Sequence, residues 1–457
     1  MELLPKEGVS RKDVPVLLLL AVGVIEFLFI ILESMFSGLG YYLAETYVIV
    51  PCLLFLGYQL GNRPTAFARR RLLLGVAAAS WFVLVQIIHK VSGTENYPVT
   101  MVFQVYLMAF PFAVLADDRD NKGFWWIGRM LLTASLILVG YSVLLFLGRV
   151  PAGMENVLSW DGARLRALWH PNICACFFLV GIGFSAMFCS RTEKIWAKAL
   201  LLAAIGVQFL AMALTNCRTV LLMTGALLGG IVFFRIFRKG WKQLLLGLMV
   251  AAVLLVGSFK LSEAVFRWNN QRLMEALRTS QSAQQGETPA EAIDLEIDED
   301  TGVIMGDNTQ GSLQNDMRTL NGRTYIWKSA LTAVWDNKTL ALWGTPYSGT
   351  VVSVYNPFPV EHGHNSWVEV LLRTGLPGLL LALVFTGISV VSAAKLVLHP
   401  ETEYWKKIAA MTTMCVMATG FLEPYLFGSK TFYHVIDFIF FFCTGYLDYW
   451  CHQKENA

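Results

Sequence analysis

Charge is the scarcest property of this 457-residue chain: only 15% of its residues are Asp, Glu, Lys or Arg. An ordinary soluble domain carries about a quarter. The net charge of +3 is too small to recommend nucleic acid as a partner. The eight cysteines are scattered, and most fall inside apolar runs (Cys52, Cys174, Cys176, Cys189, Cys415, Cys443). That pattern offers neither metal-ligand spacing nor a disulfide framework. There is no phosphate-cradling P-loop, no dinucleotide fingerprint and no Gly-x-Ser-x-Gly element, so the common nucleotide-dependent and serine-nucleophile chemistries have no sequence support.

What the chain has is apolar length. Hydrophobic residues make up 55% of it, the mean hydropathy is +0.53, and runs of 18 or more apolar residues recur. This predicts an all-α polytopic membrane protein with about twelve transmembrane helices. The spans are expected near 14–36, 44–61, 72–89, 98–116, 125–147, 171–189, 196–214, 219–236, 242–259, 373–394, 407–426 and 431–449. The first run is too long for a cleaved signal and reads as an anchor. Arg63 with Arg69 to Arg71, the Asp117–Lys122 joint, Arg191/Lys194/Lys198, Arg235/Arg238/Lys239/Lys242 and Lys395/Lys406/Lys407 fall on alternate connections. With Lys6, Arg11 and Lys12 they predict cytoplasmic termini under the positive-inside rule.

The expected organisation is a membrane domain over 1–259, one large extracytoplasmic loop over 260–372, and a second membrane segment over 373–457. A connection this long is a candidate for function. Its part 279–316 is polar and acidic, without Lys or Arg, and reads as flexible. The DEDTG and GDN pieces there have calcium-ligand types but lack EF-hand spacing. The part 323–370 reads as helical, and in RTYIWKSALTAVW the residues Ile326, Ala330, Ala333 and Val334 share one face.

The outer face gathers Arg164 and Arg166 in RLRALWHPN, Arg218 in ALTNCRTVLL, and Arg318 and Arg323 in MRTLNGRTYIW. Arg218 sits between two apolar spans with almost no loop, where a guanidinium is costly unless it lines a polar cavity or is paired. Converging arginine forks suit a phosphate-bearing ligand; snorkelling to headgroups is the competing reading. In EHGHNSWVEVLLRTGLPGL, His362 and His364 with Glu361 have metal-ligand types, but no second cluster completes a site. A histidine also suits a general base for a hydroxyl at neutral pH. Asn365 and Ser366 are placed to cap the following helix, with Glu369 in its first turn.

HGHNSWVEVLLRTGLPGLLLAL resembles the H-N-x-x-[LV]-E…G-x-x-G signature of the O-antigen ligase and polysaccharide polymerase superfamily. RTYIW…GTPYSGT is similar to that family's R-x-x-x-W helix and glycine-containing stretch, TNCRTVLL to its S-R-[GT] joint, and RLRALWHPNICA to its R…G…N-P-N segment. The departures are Cys217 where serine is common, His170 in place of asparagine, and the long acidic insert. The resemblance covers about 160–395. It implies a metal-independent, cofactor-free inverting glycosyltransferase in a bacterial cytoplasmic membrane, with an extracytoplasmic active site. The donor would be a glycan on polyprenyl (undecaprenyl) pyrophosphate. The acceptor would be a glycan or glycolipid hydroxyl, as in lipopolysaccharide or capsular polysaccharide assembly, with other polysaccharide-assembly proteins as further partners. Carried across residue by residue, Arg218 and Arg323 would grip the pyrophosphate and His364 would deprotonate the acceptor, with Arg166, Arg318, His362 and Asn365 binding substrate. The competing class is a lipid-linked glycan transporter or flippase, which would place its site near the midplane.

Overall fold

A computed structural model of the chain describes residues 14–35, 49–61, 66–91, 118, 120–149, 159–161, 164–167, 170–236, 241–284, 297–298, 303–304, 323–345, 363–424, 426–427 and 434–452. The helices are α1 (Val14–Met35), α2 (Ile49–Gly61), α3 (Ala66–Val91), α4 (Lys122–Phe146), α5 (Pro171–Arg191), α6 (Ile195–Leu214), α7 (Arg218–Ile236) and α8 (Trp241–Gln284). After them come α9 (Arg323–Asp336), α10 (Lys338–Trp343), α11 (Ser366–Leu398), α12 (Tyr404–Thr419) and α13 (His434–His452). Two small antiparallel pairings complete the set, β1 (Ser159–Asp161) with β2 (Arg164–Arg166) and β3 (Ile297–Asp298) with β4 (Val303–Ile304).

Among the described residues, eight helices are long and apolar enough to cross a membrane, so the chain is a multi-pass helical membrane protein. A straight crossing takes about 20 residues; α2 with 13 and α12 with 16 fall short of that. The span expected at 98–116 lies outside the described residues. α8 runs unbroken for 44 residues to Gln284, well past the expected boundary at 259 and into the stretch read as flexible. Within that stretch β3 also pairs with β4.

α5 is the centre of the bundle. Its sequence is apolar all round, the pattern of a helix with no solvent or lipid face, and Phe177, Phe178, Leu179, Val180 and Ile182 are all inaccessible. It packs against α4, α6, α7 and α12. α8 is the opposite case: Leu245, Leu248, Met249, Val253 and Val256 are exposed, as expected of a helix turned to lipid. The basic ends of the helices converge on one side. Arg71 of α3 pairs with Asp448 of α13, and Asp118 accepts from the Lys122 and Gly123 amides of α4 and from the Tyr446 hydroxyl of α13. Tyr404 donates to the Ile231 carbonyl, joining α12 to α7 at the same end.

At the other end α11 has two legs. Gly375 adopts φ 69° and ψ −172° inside it, a conformation natural only to glycine, and separates Ser366–Thr374 from the membrane-crossing remainder. Pro377 falls in the first turn of the second leg, where its missing amide is harmless. Gly344, also at positive φ, abuts the same kink, and Thr345 donates its amide to the Leu372 carbonyl. α9 lies over this first leg, with Ile326, Ala330, Ala333 and Val334 packed against Leu371 and Leu372, the face expected from their spacing.

Candidate active site

The Asn365 and Ser366 pair does more than start a helix. Asn365 Oδ1 accepts from the Trp367 amide at 2.9 Å and the Val368 amide at 3.1 Å, the capping geometry that satisfies otherwise orphaned amides. Its Nδ2 donates to the Phe421 carbonyl at 2.9 Å. Ser366 Oγ donates to the Glu423 carbonyl and accepts from the Leu426 amide, and the Trp367 ring stacks on Phe421 at 4.1 Å between centroids. These contacts rivet the start of α11 to the connection between α12 and α13. That connection carries Glu423.

Glu423 is the hub of the site. The span expected over 407–426 would have buried it in a helix, but α12 ends at Thr419 and Gly420 caps it. In the Gly420–Pro424 stretch the glycine terminates the helix and the proline cannot continue it. Glu423 Oε1 accepts from Arg323 at 2.7 Å and from Asn172 Nδ2 at 2.9 Å. Asn172 Oδ1 accepts from Arg164 at 2.5 Å, whose Nε donates to the Thr215 carbonyl at 2.9 Å. One hydrogen-bonded chain therefore joins β2, the head of α5, the joint before α7, the head of α9 and the α12–α13 connection. Burial pushes the Glu423 carboxyl above the usual carboxylate range, while Arg323 and Arg164 pull the other way.

His364 is held from both sides. It has φ 47°, the left-handed region that a non-glycine residue occupies only under constraint. On its N-terminal side the Gly363 amide donates to Glu369 Oε2 at 2.6 Å, and the Gly363 carbonyl accepts from Trp327 Nε1 at 2.9 Å. Glu369 is itself paired with Arg373 at 2.9 Å. On the other side stands Asn365 with its anchors. Trp327 lies one helical turn after Arg323 on α9, so a single helix positions both the arginine and the histidine loop.

Arg218 is the first residue of α7 and half-buried, and its charge acts on Glu263 of α8. Its neighbour Cys217 is buried and its thiol is pushed up to about 12, first by burial and then by Glu423, against the opposing fields of Arg164 and Arg323. The charges of the hub thus reach the residue next to Arg218. Arg166 lies in β2 with a buried Nε that has no hydrogen-bond partner among the described residues. Arg318 and His362 lie outside the described residues. Among those described, no group of three or more His, Cys, Asp or Glu is arranged to hold a metal.

Glu423 does not stand out in the sequence, and Asn172 is legible there only as part of the HPN segment that opens the span expected at 171–189. The available signal was an acidic residue inside the apolar GFLEPYLFG, flanked by glycine and proline. A carboxylate there needs a buried partner.

A comparison with curated proteins finds no match. Residues 199–383, which hold Arg218, Arg323, His364 and Asn365, match the family model described as O-antigen ligase. That match supports a ligase-like or polymerase-like role in polysaccharide assembly, and it supports the resemblance to the O-antigen ligase and polysaccharide polymerase superfamily.

Proposed function

We propose that the protein is a glycosyltransferase that moves a glycan from a polyprenyl (undecaprenyl) pyrophosphate to a sugar hydroxyl on the outer face of the cytoplasmic membrane. The observation that carries this reading is the shared support of Arg323 and His364. α9 contributes Arg323 to Glu423 and Trp327 to the Gly363 carbonyl, while Ser366, two residues past His364, is bonded to the Glu423 backbone. Groups suited to a phosphate and to a hydroxyl proton thus share their supporting residues.

In the proposed step the acceptor oxygen attacks the anomeric carbon as the bond from that carbon to the pyrophosphate oxygen breaks. His364 takes the hydroxyl proton, and the electron pair of the broken bond leaves on the lipid pyrophosphate. Arg218 and Arg323 stabilise the negative charge growing there, which is where fixed guanidinium groups act most strongly on rate. A base and a leaving-group clamp on opposite sides of the sugar give inversion in one displacement, the logic of inverting glycosidases. Arg166, Arg318, His362 and Asn365 serve substrate binding or support in this reading. The lipid tail stays among the membrane helices while the headgroup reacts. A transporter would gather its polar groups near mid-bundle, whereas Arg218, Arg323, His364 and Asn365 lie at helix heads and joints.

The test is glycan transfer by the purified full chain supplied with lipid-linked oligosaccharide and acceptor. A new glycosidic product, lost in His364→Ala and in Arg218→Ala proteins that insert normally, is the expected result. Wild-type rates in both variants would overturn the mechanism, and vesicle crossing of the lipid without any product would favour transport.

A further inference from the structure

At the basic end of the bundle, far along α4, α5 and α6 from the site above, an open cleft of about 730 Å³ lies between these helices. Lys122, Trp125, Trp126 and Arg129 of α4 line it, with Arg191 from the end of α5 and Trp196 from the start of α6. Deeper along the same cleft the lining turns to Leu132, Leu136 and Leu200. Lys122 and Leu136 are fourteen positions apart, about 21 Å at the helical rise, so the cleft has a cationic, aromatic end and an apolar end.

Arg129 is the residue that asks for an explanation. It sits about 10 Å along α4 from Lys122 by the helical rise, on the exposed face of an apolar helix where a bare charge is costly. Its guanidinium lies over the Trp126 ring at 4.9 Å, and among the described residues no carboxylate pairs with it. Arg191 stacks on Trp125 at 4.7 Å and Trp405 at 5.7 Å and feels the charge of Glu403. The lining carboxylate, Asp120, is 3.5 Å from Lys122. The cleft therefore keeps an excess of positive charge beside aromatic rings of the kind that sit at headgroup level. Leu136, Leu200 and Trp196 are exposed within it, Trp196 by 61%.

We propose that this cleft is a binding site for an anionic glycerophospholipid. Its phosphate would sit at the Arg129 and Arg191 end, its glycerol against the tryptophans, and one acyl chain along Leu132, Leu136 and Leu200. Basic pockets between membrane helices recognise anionic headgroups in this way, and a zwitterionic lipid of equal chain length lacks the net charge that the cleft complements. The site is independent of the glycan-transfer reading.

The test uses the purified full chain in detergent. It is titrated with dioctanoyl phosphatidylglycerol, with dioctanoyl phosphatidylcholine and with glycerol phosphate, and followed by the shift in thermal unfolding. Tryptophan quenching by bromine-labelled chains gives a second readout. The expected result is about tenfold or greater preference for phosphatidylglycerol over phosphatidylcholine, following the gain for each basic residue at an anionic headgroup. Glycerol phosphate should bind far more weakly, and the preference should collapse in Arg129→Gln and survive in part in Arg129→Lys. Equal binding of the two lipids, meaning that Arg129 only snorkels, would overturn the proposal. So would an unchanged preference in Arg129→Gln, or glycerol phosphate binding as tightly as the lipid. Should Arg129→Gln not fold, the wild-type ratios of the three ligands decide the matter alone.

Discussion

Arg323 and Glu423, a hundred residues apart in sequence, meet at 2.7 Å in a pocket where their side chains are 15% and 6% exposed. Removing one member of a buried pair strands the other charge. Glu423→Ala is therefore expected to lower stability by about 3 kcal/mol, read by thermal unfolding in detergent. Glu423→Gln keeps an acceptor for both Arg323 and Asn172 but also removes the charge, so it should cost less than Glu423→Ala without being neutral. A double-mutant cycle with Arg323→Gln would show coupling between the two positions; strict additivity would mean that the pair carries no energy.

The same carboxyl sets a pH signature. Because burial raises its folded value above the ordinary 4.5, protons bind the folded state more tightly than the unfolded chain. Its contribution to stability is thus fully present below 4.5 and is lost as pH rises through the higher folded value. Glycan transfer should run the other way, falling as Glu423 takes up its proton and releases its charge from Arg323. In Glu423→Gln both dependences on this group vanish. Parallel pH profiles of unfolding and turnover, compared with that variant, check the prediction; profiles that move together in the wild type would count against it.

His364 lies in the left-handed region with φ 47°, so its backbone and its imidazole can be tested separately. His364→Gly removes a conformational penalty of about 1 kcal/mol and should be at least as stable as the wild type while losing transfer activity. His364→Ala should be inactive without that gain. An active glycine variant would move the base elsewhere.

Trp327 ties α9 to the histidine loop through the Gly363 carbonyl at 2.9 Å. Trp327→Phe keeps an aromatic ring and deletes that bond. If the tie orients His364, kcat should fall about tenfold with KM little changed, the pattern of lost positioning rather than lost binding. A change confined to KM would assign Trp327 to substrate contact instead.

The kink in α11 depends on a close approach. A Cβ on Gly375 would sit 2.3 Å from the Leu342 carbonyl oxygen, and one on Gly344 would sit 2.3 Å from the Arg373 carbonyl carbon. Both residues also have positive φ. Gly375→Ala should therefore destabilise by about 2 kcal/mol or more, combining overpacking with backbone strain. Limited proteolysis should then cut more readily across 336–345, since α10 loses its seat. Gly387→Ala, which meets open space, is the control: it should not destabilise the protein and should leave the cleavage pattern unchanged.

Scarce charge, recurring apolar runs and basic joints determined from the sequence alone that this is a helical membrane protein, because a bilayer demands long apolar helices whatever their arrangement. Local spacing also determined the buried face of α9 and the cap at Asn365, since both follow from helical geometry within a few residues. The arginines and His364 were legible as residue types in ordered blocks. Their assembly was not. Glu423 reads in sequence as one acid in an apolar run, and only the meeting of the α12–α13 connection with β2, α5 and α9 makes it the partner of Arg323 and Asn172. Likewise α8 continues to Gln284 past its apolar part, and the kink at Gly375 brings its backbone so close to the Leu342 carbonyl that a side chain has no room. Contacts between segments tens to hundreds of residues apart leave no periodic trace in either segment, so tertiary structure alone decided which charges face each other and hold the histidine in place.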